Sequence, residues 1–318
     1  MKNILCLLPV EQRHKEKLEK AAEGCRFVYS SIKTVSAEEV AGANIILGNV
    51  PAQLIAASDK LELLQTNSAG VDPYIKPGVL HEKTVLANST GAYSQAVAEH
   101  AFACTLTLQK KLHLYRDAQK RGEWSDYGTV CSISDSTVLV LGLGDIGCYY
   151  ARLAKAMGAY VIGVKRRESA KPDYVDELYT MEAIESLLPR ADVIFSILPG
   201  TAATYHMYTP ELFDLMKPSA VFLNLGRGGA VAGDVLYEAL RSGKIAAAAI
   251  DVTEPEPLPA DSPLWKLDNL IITPHVSGFY HLPATFERVV DIAAENLRHY
   301  LAGEPVRNEV DFETGYKK

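Results

Sequence analysis

Three side chains in the second half of the chain have the types and placements for acid–base work on a carboxylate-bearing molecule. His275 stands in "LIITPHVSG", just past an apolar run, where an imidazole is a candidate general acid. Upstream, "AAIDVTEPEPLP" supplies Asp251, Glu254 and Glu256 in a proline-stiffened loop, so a carboxylate partner for that imidazole is at hand. Arg227 lies between glycines in "VFLNLGRGGAV", and a guanidinium crowded by backbone at a strand's end suits carboxylate capture through paired N–H groups. Singly, each has an ordinary reading: a lone histidine is more often structural, and an arginine is more often a surface charge. All three follow strand-like runs, and open α/β sheets place their sites outside the carboxyl ends of their strands.

A second kind of chemistry is written in "LVLGLGDIG". Gly142, Gly144 and Gly147 make G-x-G-x-x-G between the strand-like "STVLVL" and the helix-like "CYYARLAKAMG". The first glycine permits a tight turn, the second lets a pyrophosphate approach the backbone, and the third lets helix and strand pack closely. The following helix offers unpaired N–H groups and the positive end of its dipole. A dinucleotide site of this kind calls for an acid about 20 residues on, for the ribose hydroxyls. Counting forward lands on "VIGVKRRES": Lys165, Arg166 and Arg167. Cations there suit the 2′-phosphate of NADP, with NAD as the alternative if the triplet is only a solvated basic loop.

The elements that must position these residues read as short apolar strands alternating with helical stretches, the pattern of parallel sheets built from βαβ units. Strands are predicted at 3–8, 26–29, 44–47, 62–66 and 84–87, with helices such as "HKEKLEKAAE" in the gaps. A long helix is predicted over 94–124, a stretch without proline and with one late glycine. Six more strands follow at 137–141, 160–164, 192–197, 220–224, 248–251 and 270–273. A last helix, 283–301, is placed to pack back on the first domain. The expectation is an α/β protein of two doubly wound parallel-sheet domains.

Composition narrows the partners. A chain of 318 residues has room for two full cores, and a net charge of -7 offers no footprint for nucleic acid. The apolar run near the start is about seven residues long and ends at Pro9, which reads as a buried first strand rather than a secretion signal. No run approaches the roughly 20 residues of a membrane span. The five cysteines are scattered without a CxxC pair, which points away from a disulfide scaffold or a metal site and suits a reducing cytoplasm.

Taken together, these stretches resemble the D-isomer-specific 2-hydroxyacid dehydrogenase family over essentially the whole chain. "LQTNSAGVD" resembles its substrate loop, "AVAEH" its linker helix and "LGLGDIG" its cofactor turn. "ILPGTAAT", "LNLGRGG", "DVTEPEPLP" and "TPHVSG" resemble its remaining signatures, in the same order. The resemblance implies a Rossmann dinucleotide-binding domain (98–283) inserted into a flavodoxin-like substrate domain (1–97 and 284–318). It implies reduction of a small 2-keto acid to the D-2-hydroxy acid. His275 would be the proton donor, Glu256 its carboxylate partner, and Arg227 the group that binds the substrate carboxylate and polarises the ketone. Glu254, two residues earlier, is read as a solvated charge. Backbone N–H groups of Ala69, Gly70 and Val71 would hold the substrate carboxylate. Asp145 and Ile146 would face the phosphates, and Asp251 the nicotinamide carboxamide. Further cofactor contacts would come from Leu198, Pro199, Thr204, Leu225, Gly226, Ser277 and Gly278. The basic loop at Lys165 departs from the acid most members carry and resembles the NADPH-using glyoxylate and hydroxypyruvate reductases. The same fold also serves dinucleotide-sensing co-repressors and phosphoglycerate dehydrogenases, which stay as alternatives. A homodimer is implied, with 121–136 at the contact and hinges near 91–94 and 280–283. Candidates for the substrate's C3 wall are Asn49, Val50, Tyr93, Trp124, Phe279 and Tyr280.

Overall fold

Runs of Ile, Leu and Val three to six residues long form two all-parallel sheets in the computed structural model, which describes residues 1–55 and 58–312. Strands covered on both faces by their crossover helices need apolar side chains on both sides, so they read as unbroken apolar runs. The chain divides into two units: Met1–Tyr93 with Tyr280–Lys318, and Ser94–Phe279. Residues 56–57 and 313–318 of the predicted substrate domain lie outside the described residues.

The first unit runs β1 (Asn3–Cys6), α1 (Gln12–Ala21), β2 (Arg26–Tyr29), α2 (Ala37–Gly42), β3 (Ile45–Leu47), α3 (Ala52–Ile55), β4 (Leu63–Gln65) and β5 (Val85–Ala87). Its strand order is β2-β1-β3-β4-β5, the flavodoxin-like order. Neighbouring residues serve opposite faces, as the two-residue period demands: Ile4, Cys6, Ile45 and Leu47 enter one apolar cluster, Leu5 and Ile46 the other. Helix α2 starts on a reciprocal cap, with the Ser36 hydroxyl accepting from the Glu39 amide at 3.2 Å and the Glu39 carboxylate from the Ser36 amide at 2.8 Å.

The second unit runs α4 (Ser94–Gln109), α5 (Leu112–Arg121), β6 (Thr137–Leu141), α6 (Asp145–Ala156), β7 (Tyr160–Lys165), β8 (Glu177–Thr180), α7 (Ile184–Leu187), β9 (Val193–Ser196), α8 (Pro210–Asp214), β10 (Val221–Asn224), α9 (Gly233–Arg241), β11 (Ala247–Ile250) and β12 (Leu270–Ile272). The order β12-β11-β10-β9-β6-β7-β8 is the Rossmann order carrying one further strand. Its switch point lies between β6 and β9, where crossovers leave the sheet in opposite directions and open a crevice. Helix α10 (Pro283–Ala302) then returns to the first unit and joins the apolar cluster on the β1 face.

Two predicted elements are corrected. The single helix over 94–124 is broken: Lys111 takes a left-handed conformation (φ 57°), ending α4 and turning the chain into α5. Both lysines at the break are spent on the returning segment, Lys110 Nζ donating to the Cys131 carbonyl at 2.7 Å and Lys111 Nζ to that of Tyr127 at 2.5 Å. The second sheet also holds seven strands, because Glu177–Thr180 adds an edge strand to β7. Its sequence, "ELYT", lacks a buried apolar run. It is held instead by polar contacts of Glu177 with Arg190, Tyr160 and Tyr179, which draw that carboxyl down to about 2.

Candidate active site

Every loop carrying a predicted cofactor or catalytic residue of the second unit leaves the carboxyl edge of its parallel sheet. The turn after β6 is shaped by what glycine lacks. Gly142 has φ +101°, and a β-carbon there would lie 2.8 Å from the Ile197 carbonyl oxygen. A β-carbon on Gly147 would lie 2.2 Å from the Gly142 oxygen, so strand and helix meet only without one. Gly144 differs: nothing lies within 4 Å of its β-position, and it caps α6 with no side chain. That leaves open space over the first-turn amides of Asp145 and Ile146, the environment an anionic phosphate needs. The residues present therefore fit a dinucleotide. Beside them, Gly226 packs against the backbone of Leu198, where a β-carbon would lie 2.4 Å from the carbonyl oxygen. The Leu225 amide donates to Ser196 at 3.1 Å. The Thr204 hydroxyl closes its own loop, donating to the Pro199 carbonyl at 2.6 Å. Lys165 ends β7 and donates to the Ser169 hydroxyl at 3.0 Å, and Arg166 and Arg167 follow it on the exposed loop.

The acid–base residues are joined loop to loop. His275, at φ 53°, is turned so that its Nδ1 lies 3.0 Å from Glu256 Oε2. Glu256 is held in turn by the Thr253 amide, which donates to Oε1 at 3.1 Å. With Nδ1 engaged by a carboxylate, the other ring nitrogen, Nε2, is the one left to exchange a proton with a substrate. Arg227 is aimed from a turn splinted by Asn224, a fully buried residue. The Asn224 side chain donates to the Arg227 carbonyl at 3.0 Å and accepts from the Gly226 amide at 3.2 Å. Gly228 brings the Arg227 loop against the acidic loop so closely that a β-carbon would lie 1.9 Å from the Thr253 carbonyl oxygen.

Asp251 is 2% exposed, and its two oxygens accept four hydrogen bonds: from the Thr273 hydroxyl (2.5 Å), the Val276 amide (3.0 Å), and the Ser277 amide (3.1 Å) and hydroxyl (2.5 Å). That fills the carboxylate's accepting capacity from the loop carrying His275, so Asp251 acts as the brace of that loop. His100 on α4 completes the chain, its Nε2 lying 3.2 Å from the Thr273 hydroxyl. Gly278 follows Ser277 at the end of the braced segment.

Glu254, read as a solvated charge, is exposed and has a partner from another loop. It pairs with His206, Nε2 to Oε2 at 2.5 Å, and His206 stacks on Tyr205 with centroids 4.0 Å apart. The partner lies 48 residues away on a different loop, beyond the reach of local pattern reading. Asn224 and His206 were both missed. Asn224 had a signal, an amide ending the otherwise apolar "VFLN"; His206 had none.

In the first unit, the loop after β4 has its carbonyls tied and its amides open. The Ala69 carbonyl accepts from the Asn88 side chain (2.9 Å), that of Gly70 from the Ser68 hydroxyl (2.7 Å), and that of Val71 from the Tyr74 amide (2.8 Å). Among the described residues, the amides of Ala69, Gly70 and Val71 donate to no protein acceptor. Three adjacent N–H groups without a protein acceptor on a braced turn are what an anion-binding turn requires. Of the residues considered for the C3 wall, Val50 is withdrawn: it is 2% exposed inside the core, its backbone bonded to the Tyr74 hydroxyl. Trp124 is fully exposed, whereas Asn49, Tyr93 and Tyr280 are half-buried. No cluster of metal-binding side chains occurs among the described residues, and no described helix is long and apolar enough to cross a membrane.

Comparison with known proteins agrees with this geometry. Residues 102–277 match the model of the D-isomer specific 2-hydroxyacid dehydrogenase, NAD binding domain. The human glyoxylate reductase/hydroxypyruvate reductase is 33% identical over 261 residues, covering 81% of this chain and 79% of that protein. A D-isomer specific 2-hydroxyacid dehydrogenase family protein from Aeromonas salmonicida superposes with a TM-score of 0.85 at 33% identity, covering 98% of this chain and 99% of that one. A D-isomer specific 2-hydroxyacid dehydrogenase from Xanthobacter autotrophicus, solved with NADPH and MES, gives 0.84 at 30% identity, covering 99% of each. A Rossmann-ordered unit within a flavodoxin-ordered one, a glycine turn fitted for a dinucleotide and this extent of likeness lead to one conclusion: the chain belongs to the D-isomer specific 2-hydroxyacid dehydrogenase family.

Proposed function

We propose that the protein reduces a small 2-keto acid to its D-2-hydroxy acid, with His275 as the proton donor. The observation that carries this reading is the Glu256–His275 pair at 3.0 Å, locked by Gly228 against the loop that aims Arg227. A reduced nicotinamide dinucleotide, when bound, supplies the hydride. Arg227 pairs with the substrate carboxylate and draws electron density from the neighbouring ketone. In the first unit, the open amides of Ala69, Gly70 and Val71 are a further carboxylate-holding group. As negative charge builds on the ketone oxygen, His275 delivers its Nε2 proton, and Glu256 gives the imidazolium a negative partner that fixes the ring's orientation. Reduction takes up a proton as the hydride arrives, so its rate is expected to fall as pH rises. A flat profile, measured while hydride transfer limits the rate, would overturn the proton-donor role.

For the cofactor, the reading is NADPH in preference to NADH. Gly142, Gly144, Gly147 and the α6 amides hold the pyrophosphate, Leu198, Pro199, Thr204, Leu225 and Gly226 wall the site, and Lys165, Arg166 and Arg167 take the 2′-phosphate. The cations in place of an acid support this, as does the NADPH bound in the Xanthobacter relative. Glyoxylate and hydroxypyruvate lead the candidate substrates, by likeness to the human enzyme. Initial rates with each cofactor against a panel from glyoxylate to phenylpyruvate test both points. Equal rates with NADH would return the basic triplet to a solvated loop. Gly144→Ala offers a separate check: its methyl clashes with nothing but fills the phosphate's space, so Tm should hold while dinucleotide affinity falls at least about tenfold. Unchanged affinity would move the phosphates elsewhere. A homodimer is also proposed, its contact in the segment 121–136 including the exposed Trp124 and the half-buried Tyr127; a monomer in light scattering would refute it.

A further inference from the structure

Asn67 stands immediately before the loop that carries the three open amides, and all four of its hydrogen-bonding groups are used. Its amide donates to Asn49 Oδ1 at 3.2 Å, and its Oδ1 accepts from the Asn49 amide at 2.6 Å. Its Nδ2 donates to the Tyr280 hydroxyl at 2.6 Å, and its carbonyl accepts from the Tyr93 hydroxyl. Both tyrosine hydroxyls therefore meet on one residue, Asn67, which links the three. Burial holds both phenols in the protonated form, raising each above its usual range. The Tyr280 ring is gripped from α10 by an edge contact with Phe286, centroids 4.9 Å apart.

The placement of the two tyrosines gives these contacts their meaning. Tyr93 is the last residue of the first unit before the chain enters the second, and Tyr280 is the first residue after it returns. Both crossings are therefore fastened to one asparagine, and that asparagine sets the start of the segment Ser68–Ala69–Gly70–Val71. The same segment is pinned beyond Asn67 by the Ser89 amide, which donates to the Ser68 carbonyl at 3.0 Å. Three open amides can grip a carboxylate only if their direction is held within a few tenths of an ångström, and misplacement by about 1 Å costs roughly a hundredfold.

We propose that Asn67, Tyr93 and Tyr280 are a positioning triad for the substrate loop, through which the two chain crossings set the aim of the Ala69, Gly70 and Val71 amides. This rests on the assignment of that loop to the substrate carboxylate. None of the three need touch the reacting atoms, so their removal separates binding from chemistry. Tyr280→Phe keeps the ring and its apolar contacts but leaves Asn67 Nδ2 without its acceptor. KM for the keto acid should rise about tenfold, the scale of one lost hydrogen bond. The kcat should stay within about threefold, the cofactor Kd should hold, and Tm should fall by no more than a few degrees. Asn67→Asp, which lacks the donor and adds a negative charge just before the anion-holding loop, should also raise KM. Tyr93→Phe combined with Tyr280→Phe should cost less than the product of the two single losses, because both release the same residue.

Steady-state kinetics, cofactor titration and thermal unfolding on the full chain test this together. An unchanged KM in Tyr280→Phe and Asn67→Asp overturns the triad. So does a fall in Tm and cofactor affinity that parallels the KM rise, since that marks a general structural loss. A wild-type chain that reduces no 2-keto acid overturns the triad and the functional reading beneath it. An active wild type matched by its variants overturns the triad alone.

Discussion

His275→Asn lowers the turnover of 2-keto acid reduction by about a thousandfold, while dinucleotide affinity stays within about twofold of the wild type. The size follows from the proposed role: a positioned general acid contributes about 10²–10⁴ in rate. Asparagine is the informative replacement because position 275 has φ 53°, a conformation that Asn tolerates better than most residues. The backbone fold of the 273–278 segment, braced by Asp251, should persist, so a loss of rate reports the missing proton. Glu256→Gln should fall less steeply, since a glutamine oxygen can still orient Nδ1–H but cannot neutralise the imidazolium. Steady-state rates and fluorescence titration of the cofactor measure both. A loss of less than about tenfold in His275→Asn would remove this histidine from the chemistry.

Gly228→Ala is expected to abolish activity by a different route. The added methyl would lie 1.9 Å from the Thr253 carbonyl oxygen and 2.2 Å from its carbon, both backbone atoms that cannot rotate away. The Arg227 loop and the Glu256 loop must then separate, and the register between guanidinium and imidazole goes with them. Overpacking of this kind costs about 1–3 kcal/mol, which for a unit of this size lowers Tm by several degrees. The rate should fall at least about a hundredfold, since a 1 Å misplacement is enough for that. Gly229→Ala is the control one residue on. Its methyl would meet the Tyr205 ring at 3.2 Å, and that side chain is 58% exposed and free to yield. Near-wild-type rates in Gly228→Ala would show that the two loops need not meet. Equal damage in both variants would show that the effect is not specific to the Thr253 contact.

The two corrected elements mark where local pattern loses its hold. Glu177–Thr180 became a strand although its residues are mixed in polarity and only half-buried, because an edge position asks for one good neighbour rather than two apolar faces. The helix over 94–124 broke at Lys111 although its composition favours continuation. Two lysine ammonium groups bonding to carbonyls of the returning chain outweigh a propensity worth only tenths of a kcal/mol per residue. Glu254 and Glu256 are a finer case. They are the same residue type in one proline-bounded stretch, and composition cannot tell which meets His275.

What the sequence by itself determined is whatever depends on neighbours within about twenty residues. The glycine turn at 142–147 is one example, since its demands are on its own backbone. The alternation of short apolar strands with helices is another, because periodicity reports burial. The cations at 165–167 are a third, legible as a charge where an acid would otherwise stand. The tertiary structure alone decided which distant groups meet: Glu254 with His206, Asp251 inside the loop it braces, and Tyr93 with Tyr280 on Asn67. Those pairings join residues 22 to more than 200 positions apart. They are set by the order in which strands lie side by side in a sheet, and that order is a property of how the whole apolar surface is buried at once, which no short stretch contains.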